Sequence, residues 1–155
     1  MGISRFIAGA ALLLALAPVA GAAARPAPVR APKSGAYDGR TSQHRKLSLE
    51  VSGRTISLFL FRFSCGRVRG TASLQDIPLK KGRTGYRFRI FAYSSVQYAD
   101  ESSENAPVRI RGLFSRTGKR ARGRARVTTD RCGGVTRFRW YVRRRTTVAY
   151  PFPSA

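Results

Sequence analysis

Between residues 120 and 143 arginine alternates with small or apolar residues at a period of two. Arg120, Arg122, Arg124 and Arg126 are interleaved with Ala121, Gly123, Ala125 and Val127. After Cys132-Gly133-Gly134, Arg137, Arg139, Tyr141 and Arg143 are interleaved with Phe138, Trp140 and Val142. A strand sends successive side chains to opposite faces, so this pattern gives each strand one charged face and one dry face. Register is tightly specified as well, because a slip of one residue would bury a row of arginines.

The same period runs through most of the chain after Gly35. Leu47, Leu49 and Val51 alternate with Ser48 and Glu50, and Ser52-Gly53-Arg54 follows as a turn. In Thr55–Ser64, Ile56, Leu58 and Leu60 point one way and Phe59, Phe61 and Phe63 the other. Apolar residues on both sides predict a central strand covered on both faces. Val68, Gly70, Ala72 and Leu74 form a weaker alternation, interrupted from Ile77 to Gly82. Tyr86, Phe88 and Ile90 alternate with Arg87 and Arg89, and Val108, Ile110, Gly112 and Phe114 form another strand. Ser115–Gly118 is a hairpin turn candidate. The polar segment 94–107, with Asp100, Glu101 and Glu104, is expected to be a long loop. No segment after the first two dozen residues has a helical period. The expected fold is all-β, a small sandwich or barrel of about seven strands.

The first residues predict a compartment. Arg5 precedes an apolar run from Phe6 to Ala17, Pro18 breaks it, and small residues follow. This is the pattern of a secretory signal peptide over 1–24, with cleavage near Ala22 or Ala24. The run is too short to span a bilayer as a helix, which takes about 20 residues. The expected destination is secretion or the cell envelope. Residues 25–34 alternate proline with small or basic residues and read as a disordered linker. A single β domain is expected over 35–150, with a short tail over 151–155. Cys65 and Cys132, 67 residues apart, read as one disulfide in an oxidising compartment. Two cysteines and one histidine cannot complete a structural zinc site, and no C-x-x-C redox spacing occurs.

The formal net charge is +23, and all but Lys33, Lys46, Lys80, Lys81 and Lys119 of the 30 basic residues are arginine. Such a chain adheres to anionic polymers at low salt. A high-GC coding bias towards arginine, combined with plain solubility, gives the same composition without any partner. The sharper feature is the placement. Arg120, Arg122, Arg124 and Arg126 share one strand face, and Arg137, Arg139 and Arg143 share another. If the two strands pair, these seven guanidiniums form one surface able to bind phosphate or carboxylate bidentately. The candidate partners are a wall polymer, an acidic polysaccharide or lipid headgroups. Nucleic acid is a less specific candidate, because Tyr141 is the one aromatic among these arginines that could stack on a base.

Catalysis has thinner support. His44 is the sole histidine, and a small hydrolase using it would need Asp38 and a serine nearby, but no nucleophile elbow surrounds it. Asp100, Glu101 and Glu104 do not have the spacing of a calcium loop. No cofactor or metal is expected. A cationic antimicrobial protein is a third reading, against which stands the lack of an amphipathic helix. Trp140 and the Phe59, Phe61 and Phe63 set read as core.

Several short motifs carry a resemblance. Gly35-x-Tyr37-x-Gly39-x-Thr41-x-Gln43 opens the domain. Val108-x-Ile110-x-Gly112-x-Phe114 precedes Gly118-Lys-Arg-Ala121-x-Gly123, and Cys132-Gly-Gly134 and Trp140 follow. Across most of residues 35–141 the chain resembles a group of small exported proteins of high-GC actinobacteria. The resemblance implies export, β-structure and one cysteine pair. It implies no activity, so no functional residue follows from it.

Overall fold

The period-two pattern becomes nine strands in a computed structural model that describes residues 27–146. They are β1 (Gly35–Thr41), β2 (Lys46–Ser52), β3 (Thr55–Cys65), β4 (Val68–Pro78), β5 (Lys80–Lys81), β6 (Tyr86–Tyr98), β7 (Ser103–Phe114), β8 (Arg120–Thr129) and β9 (Gly134–Arg144). Segment 1–24 and tail 151–155 lie outside the described residues. Every pairing is antiparallel, and the order β4-β3-β2-β1-β9-β8-β7-β6 closes on itself through β4–β6. Each strand reverses the direction of its neighbour, so such a ring closes only with an even number of strands, here eight. Strand β5 lies outside the ring and pairs with the start of β6. The fold is a closed antiparallel barrel, one of the two architectures expected.

Two strands beyond the expected seven explain the difference in count. β1 was not legible because Tyr37 is its one large apolar side chain, and β5 is two lysines long. Segment 94–107, expected to be a long loop, belongs mostly to strands: β6 runs to Tyr98 and β7 begins at Ser103. Ser95, Gln97, Ser103 and Asn105 face outward on a barrel wall, where a strand needs only one apolar face, while Ser94 is buried. Strand β3 is also not covered on both faces. Phe59, Phe61 and Phe63 are fully buried, but Leu60 points out and is 36% exposed. A barrel wall is a single layer, so the outer side of even its most apolar strand meets water. Ile56 is buried with the phenylalanines because the register shifts at Glu50/Val51, leaving Ser57 as an extra residue.

An eight-stranded barrel has an interior about wide enough for side chains to fill. Here rings do most of the filling. Trp140 packs edge-on to Phe59 at 5.3 Å and is stacked with Phe88 at 5.8 Å. Phe61 contacts Phe138 at 5.5 Å, and Tyr37 contacts Phe114 at 5.4 Å. Two glycines make room. Phe88, Gly112, Gly123 and Trp140 are consecutive cross-strand partners on β6, β7, β8 and β9. A Cβ at Gly112 would lie 2.5 Å from Trp140 Cζ2 and 2.6 Å from Phe88 Cζ.

Both mouths of the barrel are covered. At one, Cys65 at the end of β3 is bonded to Cys132 in the β8–β9 turn, with Cα atoms 5.7 Å apart. On a chain-entropy basis, closing this loop contributes on the order of 4 kcal/mol. At the other, residues 27–34, part of the stretch read as a linker, lie against the domain. The Arg30 amide donates to Arg116 O at 2.9 Å, Pro32 is buried, and Val29 packs on the core. The Tyr37 hydroxyl lies 3.0 Å from Lys33 O and 2.8 Å from Gly118 O, joining this segment to the β7–β8 turn.

The ring has its fewest backbone pairs at its closing seam. β6 pairs with β7 from Arg87 to Gln97 but with β4 only at Val96, Gln97 and Tyr98. Asp76, at φ 53°, kinks β4 beyond this contact. Residues 88–95 therefore have a strand partner on one side only, and the Ser94 hydroxyl bridges the gap to Ser73 O at 2.8 Å.

Gly112→Ala is expected to lower stability by about 1–3 kcal/mol, the range for overpacking a filled core. Urea unfolding followed by Trp140 fluorescence measures it, and an unchanged midpoint would contradict this account of the core.

Candidate functional site

The registers of β6, β7, β8 and β9 align their arginines into rows that cross the strands. Arg89 pairs with Arg111, Arg111 with Arg124, and Arg124 with Arg139, giving four arginines side by side on four strands. The next row towards the disulfide mouth is Phe91, Arg109, Arg126 and Arg137. On the other side lie Arg87, Leu113, Arg122 and Tyr141, and beyond them the Arg120–Arg143 pair. Neighbours within a row are separated by the interstrand spacing of about 4.8 Å, and rows by about 7 Å. The seven arginines expected on β8 and β9 do share a surface. Arg87 and Arg89 on β6 and Arg109 and Arg111 on β7 extend it. Their alternation was visible in the sequence, but their membership depends on strand order, which no local pattern encodes.

No outward side chain of β6 to β9 is a carboxylate. The opposite wall is different. There the outward charges of β1 to β4 are Arg40, Lys46, Arg62 and Arg69 against Asp38, Glu50 and Asp76. Coding bias or solubility alone would spread charge evenly around a barrel. Here the uncompensated excess is concentrated on β6 to β9, while the opposite wall mixes both signs.

The arginines stand around two shallow open depressions of about 640 and 750 Å³ that share Arg111, Arg124 and Arg139. Among the described residues, none of the wall arginines makes an ion pair. The wall contains six direct Arg–Arg pairs: 89–111, 111–124, 124–139, 109–126, 126–137 and 120–143. Two unit charges 5 Å apart in water repel by about 0.8 kcal/mol. Salt screens this, and splayed side chains reduce it further.

Aromatic rings border the basic rows. Phe91 and Tyr93 are 59% and 64% exposed, with Arg109 over the Phe91 ring at 5.3 Å. They share the outward face of β6 with Arg87 and Arg89, on the stretch that lacks a hydrogen-bonded strand on the seam side. Tyr141 is 38% exposed beside Arg143, whose guanidinium lies 5.6 Å from its ring. Trp140, Phe59, Phe61 and Phe63 are core residues, as expected.

The other candidates lie apart from the wall. His44 is exposed in the β1–β2 turn at φ 58°, and its side chain makes no hydrogen bond among the described residues. The acids of the former loop segment serve the disulfide mouth. Asp100 pairs with Arg131 at 2.6 Å, and Arg131 in turn lies over the Tyr98 ring at 4.8 Å. The Tyr98 hydroxyl donates to Glu104, whose other oxygen accepts the Asp130 amide at 3.3 Å. Hydrogen bonds from Ser102 and then from Arg131 hold the Asp100 carboxyl down at about 2. Burial, followed by the bond to Glu104, pushes Tyr98 up to about 12. No group of three or more metal-ligating side chains occurs among the described residues.

Compared with family models, curated proteins and solved structures, the chain matches none. The geometry of the wall is therefore what bears on function.

Relief of repulsion gives the wall a measurable signature. Added sodium chloride is expected to raise the melting temperature, and Arg124→Gln, which removes one member of two Arg–Arg pairs, to stabilise the protein at low salt by up to about 1 kcal/mol. Arg62→Gln on the mixed wall serves as the control, and equal effects would deny the wall a special field. The mouth titrates separately. The folded-state pKa of Asp100 is depressed, so its stabilising contribution is present above the usual ~3.9 and lost as pH falls through about 2. That of Tyr98 is raised, so its contribution is present below the usual ~10 and lost as pH rises through about 12. Carboxyl NMR and tyrosinate absorbance read the two transitions.

Proposed function

We propose that this is a non-catalytic binding domain that holds a linear polyanion on the arginine wall of β6 to β9. The observation that carries the reading is the row Arg89–Arg111–Arg124–Arg139, in register across four strands of a wall without a carboxylate. Guanidinium groups donate in a planar fork that matches oxyanions, and several held in one array engage successive charges of one chain. The filled interior supports the same reading, because it leaves the outside of the barrel as the place for a ligand. Export, which the N-terminal sequence predicts, would bring the wall to the anionic polymers of an envelope or its surroundings.

Two variants of equal net charge test it. One replaces Arg89, Arg111, Arg124 and Arg139 with glutamine. The other replaces Arg40, Lys46, Arg62 and Arg69 on the mixed wall. Binding to polyphosphate is measured by calorimetry across a salt series. The wall variant is expected to lose tenfold or more in affinity and to show a shallower dependence on salt, since fewer counterions are released. Equal losses in both variants would mean that diffuse charge suffices, and the reading would fall.

A further inference from the structure

We infer that the polyanion is a single-stranded nucleic acid, with its phosphates on the arginine rows and its bases on the aromatic pair Phe91 and Tyr93 at their β6 end. The inference rests on the polyanion reading and adds a ligand class to it. The first observation is hydrogen-bonding polarity. In the two rows Arg89–Arg111–Arg124–Arg139 and Phe91–Arg109–Arg126–Arg137, every polar side chain is a guanidinium. Arginine has five N–H donors and no acceptor. The rows suit a ligand whose facing surface is all acceptor, as phosphodiester oxygens are. A hydroxyl-rich glycan would present donors here that find no side-chain acceptor.

The second observation is what lies next to the charge. One step further towards the disulfide mouth, Tyr93 pairs with Pro107 and Thr128 with Val135, and none of these four residues is charged. Tyr93 is 64% exposed and Val135 42%, and Phe91 leads the adjacent arginine row at 59%. The Phe91 and Tyr93 ring centroids are 6.3 Å apart. Phe91 and Tyr93 thus stand at the β6 end of the phosphate-binding rows, where an uncharged step begins about 7 Å from the last arginines. That offset is of the order of the reach from a backbone phosphate to its own base. A polyphosphate chain has nothing to place on the rings. A duplex keeps its bases stacked internally and presents phosphates alone. A single strand has exposed base faces that stack on aromatic side chains without regard to sequence.

Phe91 and Tyr93 face solvent, so their removal leaves the core intact, and near-ultraviolet dichroism of Trp140 verifies this. The experiment measures binding of the protein to a fluorescent thymidine oligonucleotide of about 16 nucleotides, within the range of single-strand site sizes. A duplex of the same length and polyphosphate serve as parallel ligands at equal phosphate concentration. The wild-type protein is expected to prefer the single strand. The double variant Phe91→Ala/Tyr93→Ala is expected to lose tenfold or more on the single strand, in keeping with two lost stacking contacts, and little on polyphosphate. Tyr93→Phe, which keeps the ring, is expected to retain affinity. If the double variant loses equally on all ligands or on none, or if the wild type prefers duplex or polyphosphate, the inference is overturned while the polyanion reading stands. If the wild type holds none of the three, both fall.

Discussion

Aromatic packing inside the barrel is the constraint on which the remaining features depend. Phe59, Phe88 and Trp140 meet within 6.1 Å of one another, centroid to centroid, in a space that a ring of eight strands barely encloses. They fit because Gly112 and Gly123 stand between Phe88 and Trp140 on neighbouring strands. With the interior full, every second residue of each strand must face water. A chain so rich in arginine can place it there without burying a charge, since the long stems lie along the sheet and the guanidiniums stay solvated.

How the charge divides is as informative as its amount. The acids at the disulfide mouth are engaged locally, with Asp100 on Arg131 and Glu104 on Tyr98. They bind two turns together and leave the wall of β6 to β9 without compensation. Like charges facing one another across strands cost stability. The seam between β4 and β6 is a second place where the fold gives up stabilising contacts, here backbone pairing. Phe91 and Tyr93 stand beside that opening at the border of the charged rows, so the two weaknesses of the barrel adjoin.

Much of this was readable along single strands and little of it between them. Alternation in 120–126 and 137–143 indicates which side of each strand is wet, and it identifies Trp140 and Phe138 as interior. The Cys65–Cys132 bond follows from an even cysteine count. Rows such as Arg89–Arg111–Arg124–Arg139 exist only through register and strand order, which depend on contacts between distant residues. Leu60 was misread because an apolar residue on the outer wall of a barrel looks locally like one buried between two sheets. The strands within 94–107 were missed because Asn105, Ser95 and Gln97 are poor advertisements for β-structure. Their partners supply what intrinsic preference does not.

The pairing of β1 with β9 also fixes where the chain enters and leaves. Tyr37 pairs with Arg144, and the Arg145 amide donates to Ala36 O at 2.8 Å. Both ends of the folded domain thus emerge side by side, at the mouth away from the disulfide. Neighbouring ends of this kind are what allow a domain to be inserted into a loop of another protein, or the chain to be circularly permuted. A barrel held at that mouth would stand upright on its support, with the row from Arg89 to Arg139 facing sideways and only the Arg120–Arg143 pair close to the attachment.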